Sequence, residues 1–293
     1  MKNILVLGGT RFFGRKLVET LLEDGHHVTI ITRGKLGNPF GKKVEHLIAD
    51  RTDKTALAKL VEGRFFDIVY DNICYSPNEA SAFCELFNDK IGKLVCTSTL
   101  STYNSDGKVK LETDFDPYHY EIRMGNSTDF SYGEGKRQAE AVFFQRGNFP
   151  VVAVRFPIVM GTDDYTRRLH FHIERTANEE PIKFVNMEAE MSFIHATEAA
   201  QFLKWVGMTA VEGPFNATAN GKISLAELMH LVESATGKSA KIVFEGPDDI
   251  YSPYAISQSW YMSNDKATEK GFHFTNLHNW LNPLVEEIAG RKE

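Results

Sequence analysis

Four consecutive apolar residues, Ile4-Leu5-Val6-Leu7, predict a strand buried on both faces, as in a parallel sheet. Gly8 and Gly9 follow at once, and Leu17, Val18, Leu21 and Leu22 then fall on one helical stripe. Comparable runs predict strands at His27 to Ile31, Val44 to Ala49, Phe65 to Tyr70, Lys93 to Thr97 and Val151 to Phe156. Between them lie helical segments at 54–61, where Asp53 can cap, from Pro77 to about Asp89, and through the 131–145 region. Strands alternating with helices imply a doubly wound parallel α/β sheet. After Pro157 the pattern changes. A polar, basic helix is expected from Asp163 to Asn178, carrying Arg167, Arg168 and His170, with short strands near 183–185 and 191–194. A helix at 197–206 follows, and Phe215-Asn216-Ala217 returns to the main sheet. Ser224 with Glu227 three residues on makes a capping box for a helix ending near Gly237, and a last helix lies near Leu281–Ile288. The expected division is residues 1–162, joined by 191–217, and a smaller α+β part, 163–190 and 218–293, over the strand ends.

Composition narrows the class without naming the chemistry. With 293 residues, 25% charged and 42% hydrophobic, the chain reads as an ordinary soluble globular protein. Its net charge of -6 argues against nucleic acid or an anionic membrane as the main partner. No apolar run is long enough to span a bilayer, and the N-terminus enters a strand with no room for a signal peptide. Cys74, Cys84 and Cys96 lack CxxC spacing and read as reduced, mostly buried thiols of a cytoplasmic protein. His170 and His172 belong to no HExxH or His/Cys cluster, so no metal site is expected.

Strand, glycine turn and helix together make a dinucleotide pyrophosphate cradle, the first unit of a Rossmann fold. Here the cradle residues are Gly8, Gly9, Thr10, Arg11, Phe12, Phe13 and Gly14. The spacing is GxxGxxG with Arg11 at the middle glycine. Roughly twenty residues beyond the turn, a carboxylate would hold the ribose of NAD and an arginine would accommodate the phosphate of NADP. This chain has Thr32-Arg33-Gly34 there, which favours NADP(H) over NAD(H), and Arg11 can reach the same phosphate from the turn. Asp50, after the third strand, can accept from the adenine amino group.

Tyr132 and Lys136 are four apart on an expected helix and so share a face. A free phenol ionises near pH ~10, and a nearby ammonium favours its phenolate, making proton transfer feasible at neutral pH. Lys136 can also hydrogen-bond a nicotinamide ribose. Ser98 and Thr99 lie at the end of the fifth strand, where ligands of such sheets sit. Hydride transfer at a carbinol carbon needs these parts together: Tyr132 moves the hydroxyl proton and Thr99 orients the oxygen. Residues 104–130 form a long polar connection, either a lid or a surface excursion.

The order of these motifs resembles the extended short-chain dehydrogenase/reductases, the NAD-dependent epimerase/dehydratase family, over nearly the whole chain. Leu7 to Gly14 resembles the family's glycine motif, and Asp50-Arg51 its adenine-contacting position. Asp67-Ile68-Val69-Tyr70-Asp71 resembles the fourth-strand motif, with Asp71 in place of its histidine. Ser98-Thr99-Leu100-Ser101-Thr102-Tyr103 resembles Ser-Ser-x-x-Val-Tyr, putting Thr99 at the catalytic Ser/Thr position beside the Tyr132–Lys136 pair. Ser192-Phe193-Ile194-His195, Gly213-Pro214-Phe215-Asn216 and Ser224-Leu225-Ala226-Glu227-Leu228 resemble later motifs. The resemblance implies a catalytic Thr99, Tyr132 and Lys136. It also implies Arg51 among the cofactor contacts and a substrate of nucleotide-sugar type held by Thr99 and Tyr132, while Arg167, Arg168 and His170 either bind a diphosphate or form a solvated helix face.

Two departures narrow the substrate. Leu100-Ser101 stands where sugar-nucleotide dehydratases carry Asp-Glu, which disfavours water elimination. Ile158 stands where epimerases of the family carry a substrate-contacting asparagine, which argues against a standard nucleotide-sugar substrate. The expected function is therefore an epimerase or carbonyl reductase. The alternative is a non-catalytic relative, since some proteins with the Gly-Gly-Thr-Arg-Phe turn bind RNA or act as redox-sensing regulators. The resemblance also implies a homodimer pairing the helices near 78–89 and 131–146, with Phe143 and Phe144 either as apolar contacts or with one of them in the core.

Overall fold

Side-chain alternation in the first strand sorts the core into two layers. A computed structural model describes residues 1–290, so the last three positions of the expected 218–293 segment lie outside the described residues. The chain runs β1 (Asn3–Leu7), α1 (Phe12–Glu23), β2 (His27–Thr32), β3 (Glu45–Ile48), α2 (Lys54–Leu60), β4 (Ile68–Asp71) and α3 (Pro77–Phe87). It continues through β5 (Leu94–Thr99), α4 (Tyr132–Arg146), β6 (Val151–Phe156), β7 (Ile158–Met160), α5 (Arg168–Ala177) and β8 (Phe193–His195). The last major elements are α6 (Ala196–Met208), β9 (Gly213–Asn216), α7 (Leu225–Thr236) and α8 (Leu277–Gly290). Ile4 and Val6 join a cluster with Leu17 and Val18 of α1 and Phe202 and Leu203 of α6. Leu5 and Leu7 join another with Phe83 of α3 and Val142 and Phe143 of α4.

The sheet has seven strands in the order β9-β6-β5-β4-β1-β2-β3, all parallel. This is the expected doubly wound Rossmann sheet, and β9 adds the expected returning strand beside β6. A separate apolar cluster joins Leu169 and Ile173 of α5 to Leu228 and Val232 of α7 and Leu281 and Val285 of α8. Among the described residues no helix is long and apolar enough to cross a membrane.

Three local differences have physical causes. β5 runs to Thr99, two residues past its expected end, because Ser98 and Thr99 stay in register with Arg155 and Phe156. β4 starts at Ile68, since Phe66 makes only an isolated bridge to Ile91. The expected helix from Asp163 starts only at Arg168, because Asp164 accepts from the Thr166 backbone N–H at 2.9 Å and holds a turn there. The caps at Asp53 and Ser224 are present, the latter as a full capping box.

The 104–130 connection is a strap tied along α4. Gln145 Nε2 donates to the carbonyls of Pro117 and Tyr120 at 2.9 and 2.8 Å, and Gln138 Oε1 accepts from the Arg123 N–H at 2.8 Å. The ring of Phe144 lies 4.8 Å from that of Tyr118, and Phe143 is a core residue. Phe143 is therefore the one of the two expected contacts that belongs to the core, while Phe144 stays half-buried beside the strap. Glu134 on α4 is the strap's main latch, receiving Tyr120 Oη at 2.9 Å, Arg123 Nη2 at 2.8 Å and Gln138 Nε2 at 2.9 Å. Burial would raise its carboxyl, but hydrogen bonds from Gln138, Arg123, Tyr120 and Arg137 outweigh it and hold the group at about 2.

The folded value lies below the ordinary 4.5, so this stabilisation is complete above about pH 4.5 and is lost as pH falls towards 2. Glu134→Gln should loosen residues 117–123 at neutral pH by on the order of 1 kcal/mol after solvent screening, about fivefold in amide exchange. The gap from wild type should close on acidification. Equal exchange in the two proteins at pH 7 would remove Glu134 as the latch.

Candidate active site

The strand order reverses at β1, which lies between β2 and β4, so a crevice opens beyond their carboxyl ends. Gly8 leaves β1 at φ +82°, a conformation few L residues adopt. Gly14 packs so closely that a Cβ there would stand 2.6 Å from the Gly8 carbonyl oxygen. Between them Phe12 also has a left-handed φ of +49°, its buried ring set edge-on to Phe13 and Tyr165. No side chain caps α1, whereas Asp53, Ser76 and Ser131 cap the next three helices. Its first amides are thus left for another acceptor at the positive end of the helix. The Asn72 amide nitrogen lies 3.4 Å from where a Gly14 Cβ would stand and is buried without a partner among the described residues. Glycine cradle, uncapped amides and orphaned donor together fit a pyrophosphate.

At the other end of the cradle, Arg33 follows β2 and is exposed. Thr32 Oγ1 lies 2.8 Å from His46 Nε2. Asp50 is exposed, and its Oδ1 accepts from the backbone N–H and the hydroxyl of Thr52 at 2.9 and 2.7 Å. Those two bonds, with the charges of Arg33 and Lys35, hold its carboxyl below the usual range. Arg51 is buried and ion-paired with Asp71 at the end of β4, and its Nη1 lies 3.4 Å from Glu79 Oε2 on α3. The guanidinium expected among the cofactor contacts is thus engaged by two carboxylates of the chain itself. Arg11 lies over the Tyr165 ring, 5.1 Å from its centroid, so its partner is the segment after β7 rather than a residue near Arg33.

The reacting groups meet where β5 ends. Thr99 is its last residue, and its Oγ1 accepts from the Ser101 N–H at 3.1 Å. Tyr132 is the first residue of α4. The two glycines inside that helix serve close approach. A Cβ on Gly133 would collide with the Ser101 carbonyl oxygen, and one on Gly135 would stand 2.6 Å from that of Tyr75. Helix α4 is thereby pressed against the ends of β4 and β5. Lys136 is buried, its Nζ donating to the carbonyls of Cys74 at 2.7 Å and Thr97 at 2.5 Å. Tyr132 is 57% exposed at the crevice. Thr99, Tyr132 and Lys136 thus share one end of β5. Arg168, the first residue of α5, is half-buried, while Arg167 pairs with Glu174.

Two groups in this region escaped the sequence reading. Tyr75, just after β4, has its ring 6.4 Å from that of Tyr132 and 5.3 Å from Lys136 Nζ. Arg155 is wholly buried in β6, paired with Glu140 of α4 at 2.7 Å and donating to Tyr103 Oη at 2.8 Å and to the carbonyls of Glu112 and Phe115 at 3.0 and 3.1 Å. It ties the strap to the sheet behind the site. The Ser98 hydroxyl donates to Glu140 and so belongs to this support. A cleft of about 630 Å³ lined by His26, Lys42, Glu45 and Arg64 sits at the amino ends of β2 and β3. That is the opposite edge from the crevice, and Arg64 there is already paired with Glu45 at 2.6 and 2.8 Å.

A model of the NAD dependent epimerase/dehydratase family matches residues 4–220. Among curated proteins, the chain is 27% identical over 224 residues to the chloroplast stem-loop binding protein of 41 kDa b of Arabidopsis thaliana, covering 70% of this chain and 55% of that protein. It is 24% identical over 277 residues to UDP-glucuronic acid decarboxylase 1 of Xenopus tropicalis, covering 85% and 64%. The chain thus spans between about half and two thirds of the length of these relatives. Among solved structures, the UDP-glucose 4-epimerase of Thermus thermophilus in complex with NAD shares the fold at a TM-score of 0.74 and 18% identity, over 99% of this chain and 100% of that one.

Proposed function

The chain belongs to the NAD-dependent epimerase/dehydratase family, and we propose that it is an epimerase or carbonyl reductase acting at a carbinol carbon of a nucleotide-sugar-like substrate, with Tyr132 as acid and base. One observation carries this reading: Thr99, Tyr132 and Lys136 converge at the end of β5 beside a cradle that fits a pyrophosphate. The names of several relatives and structural neighbours, which refer to UDP sugars, support the substrate class.

In this reading Gly8 to Gly14 hold the pyrophosphate, Arg33 and Asp50 flank the adenosine end, and Lys136 serves the nicotinamide ribose. A bound nicotinamide supplies the hydride acceptor and donor. Thr99 orients the substrate oxygen while Tyr132 removes or returns its proton. The unit formed by 163–190 and 218–293 would carry the substrate's far end, with Arg168 as its cationic contact. Leu100 and Ser101 offer no carboxylate for eliminating water. Thr32-Arg33 supports NADP(H) over NAD(H), although neighbours are named as NAD complexes. Cytoplasmic residence and a homodimer through α3 and α4 complete the proposal. The strap would form part of such an interface, and a monomer by light scattering removes the dimer.

The test is titration with NADP(H) and NAD(H), followed by incubation with UDP-sugars and analysis of both nicotinamide absorbance and sugar products. Saturable binding, tighter for NADP(H), and a converted sugar are expected. Absence of binding by either cofactor would end this reading. The competing reading, an RNA-binding protein, draws on the stem-loop binding relative. Stem-loop RNA bound at physiological salt, with no sugar converted, would favour it.

A further inference from the structure

Tyr75 touches both members of the Tyr132–Lys136 pair. Its ring centroid lies 6.4 Å from that of Tyr132 at an interplanar angle of 43°, within the range of favourable aromatic pairs. Lys136 Nζ lies 5.3 Å from the same ring, within reach of the negative face of a π system. The backbone is equally committed, since the Tyr75 carbonyl is packed against Gly135, between the two residues in sequence.

Tyr75 is itself held from below. Its N–H donates to Glu79 Oε2 at 2.8 Å, Glu79 lies against Arg51, and Arg51 pairs with Asp71 at the end of β4. The Ile73 N–H donates to Asp71 Oδ1 at 3.1 Å, and the Cys74 carbonyl accepts from Lys136. Every step from β4 to the Tyr75 backbone N–H is therefore a hydrogen bond or an ion pair. Yet Tyr75 is 40% exposed, so its ring is a wall of the crevice rather than a core residue.

We propose that Tyr75 is a positioning residue whose ring face holds the Lys136 ammonium and seats the Tyr132 phenol beside it. The Arg51–Asp71–Glu79 group acts as its footing. The feature that matters is the ring and not its hydroxyl. This proposal rests on Tyr132 being the acid and base, and it assigns the geometry of that pair to a residue of the loop between β4 and α3.

Tyr75→Phe, Tyr75→Leu, Tyr75→Ala and Tyr132→Phe separate the possibilities. In the free protein, lysine labelled with ¹³C at Cε, with Lys136 assigned through Lys136→Arg, should show a ring-current shift. The shift should persist in Tyr75→Phe and vanish in Tyr75→Leu and Tyr75→Ala. With the UDP-sugar substrate found in the screen, Tyr75→Leu and Tyr75→Ala should lower kcat roughly tenfold with KM changed less than about twofold, and Tyr75→Phe should restore kcat. A Lys136 signal unchanged in Tyr75→Leu overturns the proposal, and so does a kcat equal in Tyr75→Phe and Tyr75→Leu. Turnover surviving Tyr132→Phe sinks the parent reading instead, while the ring-current result still decides whether Tyr75 holds Lys136.

Discussion

Tyr132→Phe should cut turnover by about 10²–10⁴-fold, the range for loss of a positioned acid–base group, and leave cofactor affinity within about twofold. The asymmetry follows from where the phenol sits. Tyr132 is the first residue of α4 and 57% exposed, with the helix start held by the Ser131 cap and by the approach of Gly133 to Ser101. Deleting one oxygen therefore leaves the helix, the cradle and Lys136 where they are. Lys136→Met should behave differently, because its ammonium joins the carbonyls of Cys74 and Thr97. Losing it strands two buried acceptors, so stability and turnover should fall together. Initial rates and cofactor titrations on both variants check this. Turnover in Tyr132→Phe within threefold of wild type would mean that the phenol does not move the proton.

What was legible in the chain was what is local or periodic. The strand–glycine–helix unit spans residues 3–23, and its apolar run and glycines are adjacent in sequence. The Tyr132–Lys136 pair follows from one helical turn, and its nearness to Thr99 from the rule that strand ends cluster in a parallel sheet. Buried polar partnerships were not legible, because their members are far apart and each has several chemically equivalent candidates. Arg51 read as a cofactor contact because it follows Asp50, whereas its partners Asp71 and Glu79 lie 20 and 28 residues on. One signal was available at Arg155: a charged residue in the otherwise apolar strand Val151–Phe156 must be paired if it is buried. The sequence offers both Glu134 and Glu140 on α4, and only the fold shows that Glu140 faces the sheet while Glu134 holds the strap. The strap itself has no apolar period. It is shaped by hydrogen bonds to α4 and to Arg155, which no window of residues 104–130 contains.

Glu140→Gln should destabilise the fold by about 3–5 kcal/mol, because it leaves the wholly buried Arg155 guanidinium without a counter-charge. Arg155 keeps its bonds to Tyr103 Oη and to the Glu112 and Phe115 carbonyls in that variant, but these are neutral acceptors. Adding Arg155→Met should recover part of the loss by removing the stranded charge, so the two substitutions should be strongly non-additive. The recovered protein should nonetheless have a loosened strap, since the carbonyls of Glu112 and Phe115 lose their donor, and amides near 112–116 should exchange faster. Denaturant unfolding midpoints of the single and double variants measure the coupling. A loss below about 1 kcal/mol for Glu140→Gln, or simple additivity, would show that the pair does not hold α4 against β6. The placement of Tyr132 and Lys136 would then depend on the Ser131 cap, the two glycine contacts, the Lys136 hydrogen bonds and the apolar packing of Val142 and Phe143.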